Sequence, residues 1–211
     1  SSGLGAFRVE RVAYSPADPN VLYASVHVNV WTQGAELWQS TDDGKTWGKR
    51  TPLSDGSWVP DPKSASRLRG LLADLDFTGQ PVAVPKAMAG IPSGQTPRAF
   101  GIDPTDGDVQ IMCTVDMVSA KGGLYRTGDG GATWTPLVGK LPNPKSLHLY
   151  AVRWTAGSNQ LVIAGEQGLL IKSGDAGASY AALASPYKGS WFGLVAARSG
   201  TLLAYGLRGK V

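Results

Sequence analysis

The chain has 211 residues, of which 42% are hydrophobic and 17% are charged. This length and hydrophobic content predict one compact domain with a real core, and they exclude a disordered or collagen-like chain. The net charge is +4, from 20 lysines and arginines against 16 aspartates and glutamates, and the basic residues are spread along the chain without a basic run. We therefore expect no nucleic-acid partner, and no apolar stretch approaches the roughly 20 residues that span a bilayer.

The composition favours turns and strands over helices. The chain contains 28 glycines and 14 prolines, seven tryptophans and seven tyrosines, but its glutamates are limited to Glu10, Glu36 and Glu166. Frequent glycine and proline disfavour helices, whereas aromatic and β-branched residues suit half-buried strands. The predicted fold class is all-β, with short strands and frequent turns.

A motif of the form S/T-x-D-x-G-x-x-W/Y occurs three times. Its aspartates lie 87 and 46 residues apart, which implies a unit of about 43 to 46 residues with one copy lost between the first two. A unit of that length with four strands is the period of a β-propeller blade. The copies, called the box motif below, are Ser40, Asp42, Gly44 and Trp47; Thr127, Asp129, Gly131 and Trp134; and Ser173, Asp175, Gly177 and Tyr180.

The residue types of the box motif predict a structural role. An aspartate at a tight turn accepts backbone N–H groups, the glycine adopts a left-handed conformation, and the aromatic ring folds back into the core. Copies that are a whole blade apart do not face one another as paired catalytic acids, and a single copy lacks the oxygen ligands that calcium needs.

The repeat divides the chain into blades of one propeller domain, residues 1–211. We expect blades at 11–53, 98–141 and 146–186 and a partial blade at 187–211. Residues 54–97 form either a degenerate blade or an insertion. There Leu68, Leu71, Leu72 and Leu75 have helical spacing behind a possible Ser64 cap, whereas residues 80–84 alternate like a strand.

The box motif resembles the Asp-box, or BNR repeat, of sialidases, xyloglucan-degrading hydrolases, sortilin-type receptors and the photosystem II stability/assembly factors. The C-terminal third, with the motifs at 149–151, 163–173, 185–193 and 205–209, is similar to the assembly-factor family and its relatives in non-photosynthetic bacteria. That resemblance implies a seven-bladed ring, larger than the four to five blades here. Either segments are missing from this chain, which we favour, or a smaller ring closes through its terminal strands.

The same resemblance implies a non-enzymatic scaffold that binds a protein client, such as a membrane-protein complex reached from the exported side. It also implies export to the periplasm or the thylakoid lumen, with a signal peptide that this chain lacks. An arginine-rich patch is thought to dock the client in that family. The corresponding candidates here are Arg153, Lys172, Arg198, Arg208 and Trp191.

The alternative hypothesis is a secreted carbohydrate-active propeller, either a glycoside hydrolase or a sugar-binding module. It is favoured by the same motif and by tryptophans outside it, namely Trp31, Trp38, Trp58 and Trp154. A hydrolase needs two carboxylates across a cleft, and Asp74, Asp76 and Asp116 are candidates that spacing does not select. Sialidase chemistry would need an arginine cluster and a tyrosine with a glutamate partner.

We expect no cofactor and no metal. His27 and His148 lack neighbouring ligands at metal-site spacing, and Cys113 lies in an apolar run that predicts a buried thiol. Residues 165–168 predict a tight turn between strands rather than a nucleotide site, because no helix follows them.

Overall fold

The computed structural model describes residues 8–27, 35–53, 57–116, 118, 122–155, 158–197, 199 and 201–206. The chain divides into two compact units, residues 1–88 and 89–211. Each unit is built from antiparallel sheets whose strands follow one another in chain order.

Unit 1 contains two four-stranded sheets. The first consists of β1 (Arg8–Tyr14), β2 (Leu22–His27), β3 (Ala35–Ser40) and β4 (Gly48–Leu53), and the second of β5 (Trp58–Pro60), β6 (Arg67–Gly70), β7 (Ala73–Asp76) and β8 (Val82–Pro85). A core that includes Tyr23, Leu37, Trp58, Leu68 and Phe77 joins these sheets.

Unit 2 contains two four-stranded sheets and a two-stranded one. They consist of β9 (Gln95–Ile102), β10 (Gln110–Asp116), β11 (Gly122–Thr127) and β12 (Thr135–Pro136); β13 (Leu149–Trp154), β14 (Leu161–Gly165), β15 (Leu170–Ser173) and β16 (Ala181–Leu183); and β17 (Trp191–Ala196) and β18 (Leu202–Gly206). One face of the β13–β16 sheet packs on Ile111 and Leu137, and the other packs on Trp191 and Leu194.

The prediction of an all-β propeller-type fold is confirmed. Four sheets have four strands each in sequential order, which is the construction of a propeller blade. Within the residues that the structure describes, helical geometry is limited to one short 3-10 turn, Glu166–Gly168.

The leucines of segment 54–97 do not form a helix. Leu68 lies on β6 and Leu75 on β7, and the two residues are cross-strand partners in a hairpin. Leu71 and Leu72 occupy the connection between these strands. A separation of seven residues brings two side chains to one face of a helix, and in this hairpin it also brings them together across two strands. The spacing therefore fits both structures, and the helical interpretation of these leucines is wrong.

The three copies of the box motif occupy the same place in their sheets, between the third and fourth strands. In the first copy, Ser40 Oγ donates to Asp42 Oδ1 over 2.8 Å, and Gly44 N donates to Ser40 Oγ over 2.9 Å. Thr46 donates its N–H and its hydroxyl to the two carboxylate oxygens of Asp42. The same four contacts recur around Asp129 and Asp175.

Each box motif is also joined to the connection between the first two strands of its own sheet. Asp43 N donates to Asn20 O, Gly130 N to Asp108 O and Ala176 N to Asn159 O, at 2.9 to 3.0 Å. The motif glycines have φ of 79°, 99° and 80°, a left-handed conformation that glycine adopts without strain. The motif therefore links the connection between the third and fourth strands of its sheet to the connection between the first and second.

These hydrogen bonds lower the pKa of the motif aspartates. For Asp42, hydrogen bonds from the Thr46 backbone and side chain and from Ser40 lower the pKa to about 2. For Asp129, desolvation raises the pKa, but hydrogen bonds from Thr127 and Thr133 outweigh it and bring the pKa to about 2. The charged form is thus the one that the folded state stabilises.

We expect Asp129→Asn to remove a pH-dependent contribution to stability. The folded-state pKa of Asp129 is about 2 and its ordinary value is 3.8, so the carboxylate stabilises the fold above about pH 4 and loses this effect as the pH falls toward 2. The urea midpoint of the variant should lie below wild type at pH 7, and the gap should narrow as the pH falls to 2.5. Asp43→Asn, which removes an exposed carboxylate in the first box motif, is the control. An equal gap between wild type and Asp129→Asn at both pH values would contradict the expectation.

Candidate functional site

The predicted basic patch is only partly described. Arg153 on β13 and Lys172 on β15 both align with Val162 on the strand between them, so their side chains leave the same face of the sheet. Arg153 is exposed and Lys172 is half-buried. Arg198 and Arg208 lie outside the described residues, as does Trp31.

Trp191 does not present a contact surface. It is 4% exposed and packs with Val162, Ala164 and Leu194 in the core between two sheets. Its Nε1 donates to Ser185 Oγ over 3.0 Å. The expectation that Trp191 contacts a partner is therefore wrong, because the ring fills the space between β14 and β17.

The candidate acids of a hydrolase are engaged in structural contacts. Asp74 pairs with Arg69 at 2.6 Å and with Lys86 at 3.3 Å. Hydrogen bonds from Thr78 hold the pKa of Asp76 below its usual value, which is the opposite of what a general acid needs. Asp116 Oδ1 accepts the backbone N–H of Val118 over 2.8 Å.

Unit 2 contains a groove of about 290 Å³. It is lined by residues of β9, β13 and β17, which are the first strands of the three sheets of this unit, and by residues of the strands beside them. Three of its lining side chains are large, aromatic and exposed: Tyr150 (43%), Phe192 (42%) and Tyr205 (47%). The Tyr150 and Phe192 ring centroids are 5.1 Å apart, with planes tilted by 35°. Arg153 contributes a cation to the same wall. We call this feature the aromatic groove.

Strand bulges explain why these aromatic rings face the groove. The register shifts between Leu149 and Ala151 and between Trp191 and Gly193, which leaves Tyr150 and Phe192 as the extra residues. A bulged residue has no cross-strand partner, and the bulge re-aims its side chain. Tyr205 pairs with Gly193 on the neighbouring strand, and its ring lies over this glycine, where a Cβ atom would be 2.1 Å from it.

Glu166 supplies a fixed carboxylate beside the aromatic groove. Its oxygens accept the Tyr150 hydroxyl and the His148 backbone N–H, each over 3.0 Å, and Nδ1 of His148 lies at the same distance. The hydrogen bonds from His148, first of all from its backbone, hold the pKa of Glu166 below its ordinary value. The bond to Glu166 raises the pKa of Tyr150, since it favours the protonated phenol.

A second, larger cavity of about 1280 Å³ adjoins the aromatic groove. It is lined by residues of β10, β11 and the segment 138–149, and it shares Cys113, Leu124 and Leu149 with the groove. Cys113, which lines both cavities, is half-buried rather than buried. The prediction of a buried thiol is therefore wrong in that the Cys113 side chain is partly exposed.

The two histidines pair with carboxylates: His27 Nε2 lies 3.0 Å from Glu10, and His148 pairs with Glu166. Among the residues described, no group of three or more histidine, cysteine, aspartate and glutamate side chains is placed to hold a metal ion. No helix in the described part of the chain is both long and apolar enough to cross a membrane.

Comparison with known proteins gives xyloglucanases as sequence relatives. A Paenibacillus xyloglucanase is 30% identical over 134 residues, which cover 62% of this chain and 10% of that enzyme. The chain thus spans about a tenth of the length of the xyloglucanases it matches. No protein-family model matches the chain.

Solved structures support the fold. A GH74 enzyme of Niastella koreensis has a TM-score of 0.56 and 18% identity, with 82% of this chain and 30% of that chain covered. The structure of YCF48 bound to a D1 peptide has a TM-score of 0.41 and 13% identity, with 97% and 80% covered. The second value is too low to argue from, so the resemblance to the photosystem II assembly factors stays a prediction.

Proposed function

We propose that this chain is the glycan-binding part of an exported, carbohydrate-active propeller, and that its aromatic groove holds a neutral polysaccharide of the xyloglucan type. The observation that carries the proposal is the concave wall formed by Tyr150, Phe192 and Tyr205. The sequence relatives named xyloglucanase supply the ligand class.

The chemistry of the groove suits a sugar ring. A sugar presents an apolar C–H face that packs on an aromatic ring, and hydroxyl groups at its edge that need hydrogen-bond partners. The exposed rings supply the apolar surface, while Arg153 and the Tyr150 hydroxyl supply polar contacts at the rim. The groove volume of about 290 Å³ is at the small end for a ligand site, which fits one portion of a longer chain.

Binding rather than bond cleavage is the role proposed for these residues. Glycoside hydrolysis requires an acid with a raised pKa and a second carboxylate about 5 to 9 Å away. Glu166, a carboxylate beside this groove, has a lowered pKa, accepts hydrogen bonds from the His148 backbone and the Tyr150 hydroxyl, and contacts Nδ1 of His148. It is therefore poorly suited to donate a proton to a leaving group.

A second candidate function is docking of a protein client, which the shared face of Arg153 and Lys172 favours. Arginine pairs bidentately with carboxylates, and exposed aromatic rings are common anchors in protein interfaces. The two candidates differ in ligand, so the binding experiment below separates them.

We expect the wild-type protein to bind xyloglucan oligosaccharides in isothermal titration calorimetry. Phe192→Ala should weaken this binding by about tenfold or more, because it removes apolar surface that the bound sugar covers. Tyr14→Ala, which removes an aromatic ring that is 59% exposed in unit 1, serves as the matched control and should bind like wild type. Equal affinities for wild type and Phe192→Ala, or no oligosaccharide binding by the wild type, would contradict the proposal.

A further inference from the structure

One ring of the aromatic groove is hydrogen-bonded to a side chain that does not itself line the groove. Tyr150 is a bulged residue without a cross-strand partner, so strand pairing does not fix its ring. Its hydroxyl instead donates to Glu166 Oε1 over 3.0 Å, while its ring stacks at a tilt on Phe192.

Glu166 and His148 are joined by two reciprocal hydrogen bonds. Its backbone N–H donates to the His148 carbonyl, and the His148 N–H donates back to Glu166 Oε2, each over 3.0 Å. These bonds connect the turn after β14 to the residue that precedes β13. The carboxylate therefore has a fixed position relative to the strand that carries Tyr150.

The conformation of the turn supports the same conclusion. Gln167 and Gly168 have φ of 52° and 79°, so the turn is tight and left-handed. Gly168 N donates to Gly189 O over 2.7 Å, which anchors the turn to the segment before β17. Both strands that bear the stacked aromatic rings are thus tied to the turn that presents Glu166.

Resting on the proposed function, we infer that Glu166 is a positioning residue that fixes the Tyr150 ring against Phe192 and so pre-forms the sugar-binding face. Its carboxylate accepts from three donors and has little remaining capacity for a ligand. A ring that is already ordered loses less conformational entropy on binding, which is how a residue outside the contact surface raises affinity.

The test combines affinity with a direct observation of the ring. Protein labelled with 3-fluorotyrosine gives one fluorine resonance per tyrosine, and Tyr150→Phe identifies that of Tyr150. We expect Glu166→Ala to shift or broaden this resonance and to weaken binding of a xyloglucan oligosaccharide by roughly three- to tenfold. Glu166→Gln, which keeps an acceptor oxygen, should restore much of the affinity. In the Tyr150→Phe background, Glu166→Ala should weaken binding by less than about twofold.

Glu10→Ala is the matched control, because it removes another surface carboxylate that pairs with a histidine, in unit 1. It should leave both readouts unchanged. An unchanged Tyr150 resonance in Glu166→Ala would overturn the positioning role, and so would additive losses in the double variant. Failure of the wild type to bind any xyloglucan oligosaccharide would instead overturn the proposed function, while a shifted resonance would still show that Glu166 orders the ring.

Discussion

Arg69→Ala is expected to lower the free energy of unfolding by about 3 to 5 kcal/mol, since removing one member of a buried ion pair leaves its partner uncompensated. The Arg69 side chain is 6% exposed, and its Nε and Nη1 lie 2.6 Å from Asp61 and Asp74. Asp74 would keep a contact with Lys86 at 3.3 Å. Asp61, at 2% exposure, would lose its guanidinium partner.

Urea unfolding followed by tryptophan fluorescence measures this effect, with Arg67→Ala as the control. Arg67 lies on the same strand but is exposed, so its removal should change the free energy of unfolding by less than about 1 kcal/mol. If both variants lost the same small amount, the buried ion pairs of β5–β8 would not stabilise unit 1 in the way their geometry indicates.

Gly168→Ala is expected to destabilise the protein by about 2 to 5 kcal/mol and to abolish the pre-formed groove. Gly168 has φ of +79°, and a Cβ atom there would lie 2.1 Å from the backbone oxygen of Tyr187. Because that oxygen is part of the main chain, the turn itself must move, and Glu166 must move with it. The variant should therefore lose thermal stability and oligosaccharide affinity together.

Gly174→Ala provides the comparison for Gly168→Ala. A Cβ at position 174 meets nothing within 4 Å, so we expect a change of less than about 1 kcal/mol and unchanged affinity. Differential scanning calorimetry and titration calorimetry give the two quantities. A Gly168→Ala variant that melted and bound like wild type would show that this turn tolerates the displaced backbone.

The box motif made much of the fold predictable because it reports local geometry. Ser40, Asp42, Gly44 and Trp47 close one corner with contacts that all lie within eight residues. Local bonds of this kind are readable from residue type and spacing. The β5–β8 sheet has no such motif, and its Leu68–Leu75 pair has a separation that also fits a helix.

The candidate site was less predictable because it depends on strand register. Tyr150 and Phe192 face the groove only because each is the extra residue of a bulge, and a one-residue change in register reverses the face of a side chain. The sequence therefore favoured Trp191, which is buried, over its neighbour Phe192, which is exposed. The contact between Glu166 and Tyr150 joins two strands and has no local signal.

The prediction of a tight turn at residues 165–168 is confirmed, and it could be made because the turn is set by local residue types. Glycines at both ends of a four-residue connection indicate a tight turn, and the structure has a single 3-10 turn there with left-handed Gln167 and Gly168. The sequence did not predict that His148 fixes the carboxylate of Glu166 on this turn, because that contact joins residues 18 positions apart.

The most direct test of glycan binding at the aromatic groove is a backbone amide NMR titration with a xyloglucan oligosaccharide. We expect saturable shift changes concentrated at residues 149–153, 192–194 and 204–206, with the amides of β1–β8 unchanged. Saturable changes confined to residues 8–85, or no saturable change at the groove, would contradict the assignment of the sugar site to Tyr150, Phe192 and Tyr205.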